Sequence, residues 1–146
     1  MTDTQAATAD TSPAARLGRV RRAATGAVFM LIIQFILGII YNLYGTMPTS
    51  TKSIGWFSNG WLALHVVLGI LLLLAGIGLV AQAMRTSSGL AKAMAWVGLA
   101  GIIGAFAAGS SFTSNGANGA SLGMALAFAV ALASYVVLLI RLPSVL

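Results

Sequence analysis

Residues 61–84 read WLALHVVLGILLLLAGIGLVAQAM, a run without one Lys, Arg, Asp or Glu. At about 1.5 Å of rise per residue a helix of this length reaches about 36 Å, more than the roughly 30 Å of hydrocarbon in a bilayer. Inside lipid every backbone N–H and C=O must be bonded within its own segment, so the run reads as a membrane-spanning helix. The residue-by-residue alternation of a barrel strand is absent.

Three more runs of this kind follow from the same reasoning, at 23–44, 93–110 and 120–140. The first is as long as a full span and ends in YNLY, with no small-residue cleavage pattern, so it reads as an uncleaved span. Composition agrees: 59% of the 146 residues are hydrophobic and 7% charged, against about a quarter charged in soluble domains. The expected fold is all-α, an integral membrane four-helix bundle. Its expected organisation is a basic tail over 1–22 and a four-span domain over 23–146. The tail, MTDTQAATADTSPAARLGRVRR, is small, polar and Pro-interrupted, and is expected to be disordered.

Charge sets the orientation. Arg16, Arg19, Arg21, Arg22, Arg85, Lys92 and Arg141 fall on one side of the four spans, and only Lys52 on the other. The positive-inside rule then puts both termini and the 85–92 loop in the cytoplasm, in a cell membrane. The net charge of +6 reads as topology and attraction to anionic lipid headgroups at the Arg-rich tail, not as nucleic-acid binding. Tyr41, Tyr44, Trp56, Phe57 and Trp61 cluster where the far interface would lie.

Chemistry is sparse. Both acids, Asp3 and Asp10, sit in the tail, so no carboxylate pair serves acid–base catalysis in the spans. The absence of cysteine removes disulfides, thiolate metal sites and c-type haem attachment. Met30, Met47, Met84, Met94 and Met124 are dispersed, which argues against a soft copper site. No metal site and no catalytic residue is expected.

Helix association in lipid rests on close approach of small residues. Gly69 and Gly76 in the second span, Gly98 and Gly101 in the third, and Gly119 and Gly123 in the fourth are the expected packing positions. The same seams would serve a homo-oligomer or a larger membrane complex.

His65 is the single histidine. On a helical projection Gly69 lies about 40° from it and Gly76 about 20°, so His65 heads the small-residue stripe and points at another helix. A buried imidazole needs a partner. Gln34, Tyr41 and Asn42 from the first span, and Asn118, Ser121 and Met124 from the fourth, are expected to converge on it. On that reading His65→Ala costs about 1–3 kcal/mol by leaving a buried partner unpaired. Three readings stand side by side. The cluster is a hydrogen-bonded cap joining helix ends. Or His65 ligates haem b, with Met124 as second ligand or with a second copy of the chain. Or His65, Tyr41 and the amides hold a quinone or lipid headgroup in an apolar pocket with a few polar groups. Gln34 near mid-span serves either as interhelical glue or as part of a permeation path in an oligomeric transporter or channel.

The stretches NGANGASLGMALAFAVALASY (115–135), YNLYGTMP (41–48) and LHVVLG (64–69) resemble a group of small four-span membrane proteins of high-GC actinobacteria. The resemblance covers roughly residues 25–140 and implies the four-span layout, with no activity attached. The layout is also similar to half of a haem A synthase, from which this chain departs in having one histidine. The functional expectation is an accessory or small-ligand-binding membrane bundle without a catalytic constellation of its own.

Overall fold

The computed structural model describes residues 12–143. Among them four helices run up and down: α1 (Pro13–Tyr44), α2 (Gly60–Met84), α3 (Gly89–Asn115) and α4 (Asn118–Arg141). Each is long and apolar enough to cross a bilayer. The chain is a multi-pass helical membrane protein. Each helix packs on its neighbours in the order α1–α2–α3–α4–α1, which closes a four-sided bundle.

The starts follow from capping chemistry. Ser12 accepts from the Ala15 N–H (3.2 Å) and Pro13 occupies the first turn of α1, where a missing N–H costs nothing. Asn59 and Ser88 cap α2 and α3 in the same way. The first cap corrects a sequence expectation. Residues 13–22 are helical, not part of a disordered tail; the expectation for 1–11 lies outside the described residues. Val20 and Ala24 are fully buried, so apolar packing holds this extension although charge and proline suggest otherwise.

α3 also runs past its expected end at Ser110. Thr113 Oγ1 and Ser114 Oγ donate to the Ser110 carbonyl at 2.9 Å, so the polar side chains are satisfied without leaving the helix. Gly116 then stops it, at φ 67° with its N–H on Phe112 O. A Cβ there would stand 2.5 Å from the Pro48 carbonyl oxygen. Only glycine fits both the left-handed backbone and that approach. The 45–59 loop is tied to the same place by the Ile54 N–H on Thr113 O (2.9 Å), and Trp56 meets Phe106 edge-on.

The core inverts the pattern of a soluble protein. Buried positions recur at alternating steps of four and three: Val20, Ala24, Ala27 and Leu31; Ala91, Ala95, Gly98 and Ile102; Ala131, Tyr135, Leu138 and Leu142. That period is the packing stripe of near-parallel helices. Phe29, Ile32, Phe35, Ile36, Leu71 and Leu74 stay exposed; in water such a surface would aggregate, and in lipid it is the solvated face.

α3 and α4 make the closest seam. A Cβ on Gly101 would lie 2.7 Å from Ala127 O and 2.9 Å from Ala131 N, so the two backbones touch there. Gly98 lies under the ring of Tyr135, whose hydroxyl reaches the α2 backbone at Gly76. Gly123 meets Ala108 at an ordinary 3.8 Å. Gly119 is exposed with nothing within 4 Å, so it takes no part in the seam expected of it. It lies on the first turn of α4, beside the two-residue connection, on a side turned away from α3.

Candidate functional site

The polar chemistry inside the spans gathers on the α1–α2 seam, in the half of the bundle far from the arginines. α1 presents Gln34 and Gly38 one turn apart, and α2 presents His65 and Gly69 with the same spacing. The helices are antiparallel, so each long side chain meets the other helix's glycine. His65 Cε1 lies 3.3 Å from where a Gly38 Cβ would be, and Gln34 Nε2 lies 3.2 Å from where a Gly69 Cβ would be. The two glycines are seats, and the two side chains fill them.

One hydrogen bond ties the seam: Gln34 Nε2 donates to the His65 main-chain carbonyl at 3.1 Å. Two polar atoms remain sealed without a partner, Gln34 Oε1 and His65 Nδ1. His65 as a residue is half-buried, so the imidazole has one sealed edge on Gly38 and another toward the surface of the seam.

The other candidates do not join them. Tyr41 is buried, and its hydroxyl donates to the Thr46 carbonyl at 2.7 Å, closing the turn at Gly45. Asn42 and Asn118 are exposed and Ser121 is half-buried. Met124 Sδ lies 3.3 Å from a Gly109 Cβ position, on the α3–α4 seam. His65 and Met124 thus serve different helix pairs. Connectivity explains the separation. A two-residue link at 116–117 forces α3 and α4 into a hairpin, so the polar top of α4 faces α3 and not α2. Asn115, in the same stretch, bonds the Ala117 N–H at 2.9 Å and shapes that link.

Sequence reasoning passed over Tyr135. It is fully buried at the centre of the core, and its hydroxyl has no partner. The signal was there: one aromatic in a run of Ala and Ser at core spacing, level with Gly98 and Gly76 on the neighbouring helices.

No protein family, curated protein or solved structure matches the chain.

Proposed function

We propose that this multi-pass protein is a non-catalytic, small-ligand-binding bundle whose ligand seat is the α1–α2 seam at Gln34, Gly38, His65 and Gly69. The observation that supports the reading is the pair of sealed, unpartnered atoms, Gln34 Oε1 and His65 Nδ1. Leaving a polar atom buried and unpaired costs about 1–3 kcal/mol. Two such atoms on one seam favour a molecule that supplies the missing bonds. Gln34 Oε1 can only accept, and a neutral imidazole nitrogen donates or accepts according to its tautomer. A small amphipathic molecule carrying a hydroxyl or carbonyl on an apolar body, of the quinol and quinone type, answers both. It would enter from the bilayer, past the half-buried edge of His65.

The test is direct. The full chain is purified from its native membrane in mild detergent, extracted with organic solvent, and the extract analysed by mass spectrometry. A stoichiometric apolar molecule is expected from the wild type and none from His65→Ala. An empty extract from the wild type would sink the reading. An absorbance spectrum of the same preparation covers the haem alternative: a Soret band lost in His65→Ala would replace the proposal with a haem protein.

The orientation proposed with this function puts the basic end in the cytoplasm and the seam in the outer half of the membrane, on the seven-to-one distribution of Lys and Arg. Ala117 is exposed in the α3–α4 link, so Ala117→Cys should label from outside intact cells with an impermeant thiol reagent. Labelling only after lysis would reverse the topology.

A further inference from the structure

We propose that the basic end of the bundle carries a built seat for an anionic phospholipid, between α1 and the end of α4. A groove of about 390 Å³ opens there, lined by Gly18, Arg19, Arg21, Arg22 and Thr25 of α1 and by Leu139 of α4.

Depth is the first argument. α1 has 32 residues and extends about 48 Å, while its apolar part from residue 23 onward uses about 33 Å, so about 15 Å projects beyond the hydrocarbon. Arg21 and Arg22 stand at the border and Arg19 close to one turn beyond it. That is the level of lipid phosphates.

Rigidity is the second. The projecting segment is held by fully buried Val20 and Ala24, and by Arg16 Nη1, which donates to the Arg85 carbonyl at 3.1 Å. The groove is therefore a formed surface on a docked helix, unlike a polybasic tail that gathers charge only on average.

The chemistry of the walls is the third. Guanidinium groups match phosphate oxygens with paired donors. The described residues include no acidic side chain, since the chain's two acids are Asp3 and Asp10. Leu139 sets an apolar wall beside the charge. A free phosphate gains nothing from that wall, whereas the glycerol and first acyl methylenes of a phospholipid do. Arg21 and Arg22 carry the charge of the seat, and the Gly18 and Leu139 surfaces give its shape.

The experiment titrates the full chain in detergent with phosphatidylglycerol, or with phosphatidylcholine of the same acyl chains, and counts bound adducts by native mass spectrometry. One preferred phosphatidylglycerol per chain is expected. Arg21→Gln with Arg22→Gln should weaken it about twenty-fold, at roughly five-fold for each arginine. Arg85→Gln with Lys92→Gln removes the same charge from the same end outside the groove, and should change it less than about two-fold. Equal weakening by the two pairs would reduce the effect to diffuse charge and overturn the seat. Gly18→Leu keeps every charge and fills the groove; it should lose the preferred adduct while circular dichroism shows the helices intact. A full adduct in that variant overturns the proposal too. Inorganic phosphate is the last arm: displacement at concentrations comparable to the lipid would assign the groove to a free anion instead.

Discussion

Gly98→Leu should cost the bundle more than any other single substitution on its seams, lowering the stability of the folded state by about 3 kcal/mol or more. Overpacking a tight site costs about 1–3 kcal/mol when neighbours can yield. Here they cannot. A Cβ at Gly98 would overlap the Tyr135 ring, with Cζ at 2.6 Å and Cδ1 at 2.7 Å. Tyr135 is fully buried, as are Ala131 and Leu138 on either side of it, and its hydroxyl already stands 3.2 Å from a Cβ position at Gly76. The ring is a wedge between α2, α3 and α4. Titration of the protein from mild detergent into dodecyl sulfate, followed by circular dichroism, reads the loss. Tyr135→Ala in the Gly98→Leu background should recover part of it, giving a coupling of at least about 1 kcal/mol between neighbouring sites. Gly78→Leu is the control, since nothing lies within 4 Å of a Cβ there. A Gly98→Leu protein that unfolds with the wild type would mean that the wedge does not organise the bundle.

The same wedge shows what was legible in the sequence and what was not. Span number and type were, because the length of an apolar run is a local property that lipid converts directly into a helix. The buried stripe of α2 through Gly69 and Gly76 was legible for the same reason, as a single-helix projection. Partnership was not. Whether the top of α4 faces His65 or Gly109 depends on which helices share a hairpin, and no projection of one helix contains that. Asn118, Ser121 and Met124 were therefore assigned to a cluster that the α3–α4 hairpin takes apart. The docking of residues 13–22 was hidden by its own charge. Four arginines and a proline read as a solvated tail, while Val20 and Ala24, at core spacing, tie the segment to the bundle.

Gln34→Ala and His65→Ala should part company, and the way they part separates a ligand seat from helix glue. The Gln34 amide donates to the main-chain carbonyl of residue 65, not to the imidazole. Removing the imidazole leaves that tie in place and takes away one sealed, unpaired nitrogen. His65→Ala should therefore keep its stability within about 1 kcal/mol of the wild type, because the expected orphaned partner does not arise. Gln34→Ala breaks the tie and empties the Gly69 seat; interhelical hydrogen bonds in membranes are worth about 0.6 kcal/mol on average and up to about 1.7, so a loss of about 1–2 kcal/mol is expected once packing is included. Both variants should release the extractable molecule. The same dodecyl sulfate titration and the same solvent extracts give both readouts. Equal losses of stability, with nothing bound even in the wild type, would make the four-residue seam a helix-to-helix clasp and nothing more. A stable His65→Ala chain that has lost its ligand would show that the imidazole is kept for what it binds, since the clasp works without it.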